Sequence, residues 1–152
     1  MKSIILFLVL MMGAITSHAQ VQSNLLLLQH FMRDIANPQI KESVIIDTYL
    51  CRYLHDVPNR KDNKNYLFAK GQITNMREYM QKEGITLEQL SMLKYKDIPV
   101  SDQNVSFGEK DDVYACYYEK KIFNFFLVKN NRIDAFNTLN KGSREVFVSH
   151  CQ

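Results

Sequence analysis

Only five glycines occur in this chain of 152 residues. A glycine-rich phosphate cradle has little material to be built from, and a long, strongly bent sheet has few positions at which to bend. No block of five like charges is present, which argues against a nucleic-acid or membrane-surface partner. Repeats and low-complexity stretches are missing too, so a solenoid is excluded. There is no G-x-S-x-G, no H-E-x-x-H and no closely spaced pair of cysteine ligands. The three cysteines, Cys51, Cys116 and Cys151, stand 65 and 35 residues apart, which matches no zinc-binding spacing. No catalytic residue, cofactor or metal is expected from such a sequence.

Long apolar runs are lacking as well, apart from one at the start. Lys2 supplies a short positive region, and Ile4 to Ile15 is apolar except for Gly13. Ser17 and Ala19 are small residues placed for cleavage before Gln20, the pattern of a secretory signal peptide. The run is 12 residues, against about 20 for a spanning helix. The reading is a signal peptide over 1–19, cut between Ala19 and Gln20, and one domain over 20–152. The expected location is secreted or periplasmic, with no transmembrane segment in the mature chain. Loss of Lys2 lowers the basic count from 19 to 18 against 16 acidic residues, so net charge falls from +3 to about +2.

The front half carries helical spacing. Leu25, Leu28, Met32 and Ile35 form one stripe, which Ser23 is placed to cap and Asn37-Pro38 to end. A second helix is expected over 39–54 with Ile40, Val44, Thr48 and Cys51 on one side. The polar stretch His55 to Asn65 reads as a surface loop. A third helix follows over 66–83, with Tyr66, Ala69, Ile73, Met76 and Met80 as its stripe and Gly84 after its last turn. Thr86 and Gln89 have the spacing of a capping box, with Ile85 and Leu90 as a hydrophobic staple, so a short helix is expected over 87–93. An edge strand is expected near Val105 to Phe107.

The back half reads as an antiparallel meander of four strands, about 113–118, 122–128, 132–139 and 145–149. Turns are marked by Glu119 to Lys121, Asn130-Asn131 and Asn140 to Ser143. If Lys129 opposes Arg132, then Leu127 opposes Asp134 and Phe125 opposes Phe136. Alternation then places Tyr114, Cys116, Tyr118, Phe123, Phe125, Leu127, Phe136 and Phe147 on one face. The other face is apolar as well, broken by Asn124 and Asn137. A one-sided meander alternates apolar with polar, so this sheet needs cover on both faces. Helices on one face with loops and the first helix on the other would supply it, as would a sheet curled around a pocket, or a second chain.

An odd cysteine count leaves at least one thiol unpaired or intermolecular. Cys116 and Cys151, on the first and last strands of such a meander, lie about 14 Å apart at about 4.8 Å per strand, too far for a bridge. A disulfide would therefore join Cys51 to Cys116 or to Cys151; three reduced thiols is the competing reading. Among ionisable groups, Asp134 falls on an apolar face. It either pairs with Arg132 or Lys129 at the sheet's end, or anchors a ligand at a pocket mouth together with Tyr114, Tyr118 and Asn124. His30, His55 and His150 read as structural.

The closing meander "KNNRIDAFNTLNKGSREVFVSHCQ", with the leader and the helical front, resembles small exported proteins of unknown function from Bacteroidetes-type bacteria. That resemblance implies no activity and transfers no residue. The order of helices before sheet also looks like the curled α+β roll of nuclear-transport-factor-2-like (NTF2-like) domains, a likeness of fold alone. The expectation is an α+β domain with N-terminal helices packed on a C-terminal four-stranded antiparallel meander. Its expected role is an exported, non-catalytic domain that binds a protein or a small apolar ligand. A small pocket enzyme of the NTF2-like type and a structural homodimer are the alternatives.

Overall fold

Three helices precede the sheet in the computed structural model. It describes residues 2–103, 112–141, 144–149 and 151, with side chains described from residue 19 on, except 140, 141, 144 and 145. Helix α1 is Lys2–Ala36, α2 is Glu42–Tyr49 and α3 is Lys64–Glu83. Asn37-Pro38 ends α1 as its backbone restriction requires. Ser23 caps nothing, because the helix runs through it. The stripe is as read: Leu28, Met32 and Ile35 are buried, joined by Phe31.

Helix α2 is shorter than its pattern suggested and turned to another face. Ile45, Ile46 and Tyr49 are buried, whereas Val44 is exposed and the Thr48 hydroxyl donates back to the Val44 carbonyl. A 3-10 turn over Arg52–Leu54 replaces its last turns. The Asn63 side chain caps α3 by accepting from the Tyr66 N–H. Gly84 ends it at φ 65°, in the left-handed region where a side chain is strained.

The capping box at Thr86 and Gln89 forms, but it opens a single 3-10 turn, Leu87–Gln89, and not the expected helix. The chain then straightens into β1, Leu90–Lys94, where half-buried Leu90 and Met92 alternate with exposed Ser91 and Leu93. A period of two is a strand's signature. The remaining strands are β2 (Val113–Tyr118), β3 (Lys121–Lys129), β4 (Arg132–Ala135), β5 (Thr138–Lys141) and β6 (Arg144–Phe147). Strands β1 to β4 form a four-stranded antiparallel meander in sequential order, and β5 pairs with β6 as a separate hairpin. The fold is thus α+β with helices on an antiparallel sheet, but β1 is its first strand and the expected third strand breaks after Ala135. The sheet does not close, unlike a curled roll. The expected strand near Val105 lies outside the described residues.

Register decides the faces. Asn130 and Asn131 take positive φ, 50° and 56°, in a two-residue turn that sets Lys129 opposite Arg132. One step on, a bulge intervenes: Val128 faces Ile133 and Leu127 faces Ala135, so Asp134 is the extra residue. Neither the Leu127–Asp134 nor the Phe125–Phe136 pairing forms. The β2–β3 turn is also two residues, Glu119 and Lys120, with positive φ at both. A second bulge leaves Phe123 unopposed between Asn124 and Ile122. Phe125 and Leu127 accordingly share a face with Ala115 and Val113, opposite to Tyr114 and Cys116.

All three helices cover the face that carries Tyr114, Cys116, Phe126, Val128 and Ile133. Phe31 sits at the centre, edge-on to Tyr49, Phe126 and Phe136 at 5.4–6.0 Å between ring centroids. Tyr95, Ile98 and Phe147 cover Val113, Ala115, Tyr117 and Phe125 on the opposite face. The segment after β1 and strand β6 therefore supply the second cover, and among the described residues no side chain of α1 joins it.

Two arginines fasten the helices. Arg77, buried on α3, donates from Nε to the Ile35 carbonyl at 2.8 Å and from Nη2 to the Ile40 carbonyl at 2.8 Å. Its Nη1 meets Glu42 Oε1 at 2.6 Å. Arg132 of β4 donates to the Asp47, Thr48 and Leu50 carbonyls, a cation against the C-terminal end of α2.

Candidate functional site

A cleft of about 560 Å³ lies between α3 and the β2–β3 hairpin. That volume falls within the usual range for small-molecule sites. Helix α3 lines it with Gln72, Asn75, Met76 and Tyr79. Their spacing of three, one and three puts them on one helical face, beside the stripe that α3 buries. The strands contribute Tyr118, Ile122, Phe123 and Asn124, and the link between β4 and β5 contributes Phe136 and Asn137. The ring of Phe123, the bulge residue, lies 5.9 Å from that of Tyr79.

Four carboxamides, from Gln72, Asn75, Asn124 and Asn137, thus share the cleft with four aromatic residues, Tyr79, Tyr118, Phe123 and Phe136. The Asn124 amide donates to the Phe136 carbonyl at 2.6 Å, which holds its side chain in place. Charge is confined to Glu119 and Lys121 at the hairpin turn. Burial and the neighbouring Glu119 push the Tyr118 phenol above its ordinary pKa. The lining residues include no histidine, cysteine or serine.

The four residues singled out from sequence divide among three places. Tyr118 and Asn124 reach the cleft. Tyr114 is buried under the helices, where its hydroxyl accepts from Asn24 Nδ2 at 3.0 Å, and burial raises its pKa. Asp134 stands half-buried beside a disulfide joining Cys51 to Cys151, whose α-carbons are 6.1 Å apart. Arg132 is spent on α2, while Lys129 partly offsets the desolvation that raises the Asp134 pKa. Cys116 is the free thiol, and burial pushes it up to about 12, which leaves it inert at neutral pH.

Neither His30 nor His55 lines the cleft. His30 lies exposed in a second groove, of about 580 Å³, between α1 and β1. His55 Nε2 approaches Arg132 at 3.5 Å, and His150 lies outside the described residues. Among the described residues, no helix is long and apolar enough to cross a membrane. Comparison of the chain with family models, curated proteins and solved structures finds no match in any of the three.

Proposed function

We propose that this chain is an exported, non-catalytic binding domain whose cleft takes a small neutral ligand rich in hydroxyl groups, of the saccharide class. The observation that carries this reading is the lining of four carboxamides and four aromatic rings with charge only at the rim. A carboxamide offers both donor and acceptor, as a hydroxyl does, so the two match in either direction. Aromatic walls stack on the C–H faces of a sugar ring and contribute apolar area at little entropic cost. An ionic ligand would meet no buried counter-charge, and a purely apolar one would strand the amides. Export rests on the leader pattern that ends at Ala19.

The test is thermal unfolding against a panel of neutral mono- and oligosaccharides, followed by calorimetry on any hit. A ligand that binds the folded state raises Tm with concentration as mass action requires. Tyr79→Ala and Asn75→Ala, both on the exposed side of α3, are expected to abolish the shift while leaving unliganded Tm within a few degrees. A panel without one saturable shift would refute the saccharide reading. Intact mass of protein recovered from outside the producing cell tests export separately: the chain should begin at Gln20.

A further inference from the structure

Cys51, Asp134 and Cys151 are separated by most of the chain, and the fold gathers them. Leu50 makes a parallel bridge to Ile133, which lays the end of α2 along β4 and sets Cys51 beside it. The bulge opposite Leu127 and Val128 makes Asp134 the unopposed residue of β4, and a bulge re-aims a side chain. After β6 the chain turns back: the Val148 N–H donates to the Asn137 carbonyl, and the Cys151 N–H to Ser149 Oγ. Cys151 Sγ comes within 3.2 Å of the Asp134 backbone oxygen.

The two sulfurs and a carboxylate oxygen of Asp134 all lie within 4.8 Å of one another, and each residue is half-buried. Tetrahedral zinc, with bonds of about 2.3 Å to sulfur and about 2.1 Å to oxygen, places its ligand atoms about 3.6–3.8 Å apart. The two sulfurs, bonded to each other in the disulfide, must part to about 3.8 Å once that bond is broken, a change that rotation about the two Cα–Cβ bonds can supply with the α-carbons 6.1 Å apart. Two thiolates with one carboxylate suit zinc, and thiolates select it over the hard cations calcium and magnesium.

We propose that these three residues form a redox-gated zinc site, closed as a disulfide and opened by a dithiol reductant. In the opening step the reductant's two S–H groups supply two electrons and two protons. The Cys51–Cys151 bond breaks, two protein thiols form, and the reductant leaves as its cyclic disulfide. One Zn²⁺ then replaces the two thiol protons, which pass to solvent, and Asp134 provides the third bond. The fourth position is left to water. Oxidised protein, with no thiolate at the site, holds no metal there. This site is remote from the carboxamide cleft in its ligands and does not depend on what that cleft binds.

The experiment uses the full chain reduced with dithiothreitol and desalted without oxygen, with Co²⁺ as spectroscopic probe and Zn²⁺ as competitor. One equivalent of Co²⁺ should bind with near-ultraviolet thiolate charge transfer and the visible bands of a four-coordinate ion, and Zn²⁺ should displace it. Native mass spectrometry should find one zinc on reduced protein and none on oxidised protein. Asp134→Asn should weaken Co²⁺ binding at least tenfold, Cys51→Ser should abolish the charge-transfer band, and Cys116→Ser should change neither. Absence of the band in the reduced wild type would overturn the proposal, as would equal affinity in Asp134→Asn. A reduced chain that loses its near-ultraviolet circular dichroism and does not regain it with Zn²⁺ would overturn it too.

Discussion

Arg77→Ala tests how the helical layer is held together. The guanidinium makes three bonds, to the Ile35 carbonyl at the end of α1, the Ile40 carbonyl in the α1–α2 link, and the Glu42 carboxylate at the start of α2. Hydrogen bonds to a charged group are worth about 1.5–3 kcal/mol each, and removing one partner of a buried pair costs about 3–5 kcal/mol. The Glu42 side chain is 23% exposed against 10% for Arg77, so water recovers part of that loss. The lower end applies, roughly 3 kcal/mol, or a fall in Tm of roughly 10 °C for a domain of this size. Urea unfolding at neutral pH, followed by far-ultraviolet circular dichroism, measures it. Arg77→Lys should recover less than half, because an ammonium on a flexible stem cannot span three acceptors fixed in a fork. A double-mutant cycle with Glu42→Ala isolates the ion pair, with an expected coupling of roughly 1–2 kcal/mol. A loss below about 1 kcal/mol in Arg77→Ala would refute the reasoning, since an ordinary surface change does that much.

Three further outcomes are expected. In the disulfide form with chelator present, Asp134→Asn should change the pH dependence of stability. The folded carboxyl has a raised pKa, so its contribution is full below the unfolded carboxylate range and is lost as pH climbs through the folded value. Wild type should therefore fall behind the variant across that acidic window and run parallel to it above; curves parallel throughout would remove the case for a desolvated carboxylate. Tyr114→Phe leaves the buried Asn24 amide without its acceptor and should cost about 1–2 kcal/mol in urea titration. Gly84→Ala meets no atom within 4 Å and should still lose about 1 kcal/mol, through its φ of 65° alone; an unchanged midpoint would count against that strain.

Local chemistry was readable from the sequence where one residue type has one conformational use. The Asn130-Asn131 turn, the Asn37-Pro38 stop and Gly84 each act within a few residues of their own position. The Glu119-Lys120 turn was not readable, because neither residue type favours positive φ. The bulge at Phe123 shifts the register of β3 against β2 by one residue, and it moves Phe125 and Leu127 to the face opposite the one expected. The strand β1 was hidden behind a capping box that starts a 3-10 turn as well as a helix. Arg77 did leave a signal: it lies four residues after Ile73 and three before Met80, a lone charge within an apolar stripe. The cleft was half visible. Tyr118 and Asn124 were chosen as strand residues, but Gln72, Asn75 and Tyr79 enter only once the angle between α3 and the sheet is known, which no spacing encodes. The two bulges escaped prediction for the same reason, and each delivers a side chain to a site: Phe123 to the cleft, Asp134 to the bridge.

The Cys51–Cys151 bond has a topological consequence. It closes a covalent ring with a sequence separation of 100 residues, and every residue that lines the cleft falls inside that ring. Helices α1 and α2 stand wholly outside it. A protease that nicks the polar stretch between His55 and Asn63 would leave two fragments still chained together, with the cleft intact. A nick between Asn37 and Lys41 would leave α1 attached by packing alone. Limited digestion run on paired reducing and non-reducing gels would tell the two cuts apart, because only the first yields a species that splits when the bridge is opened.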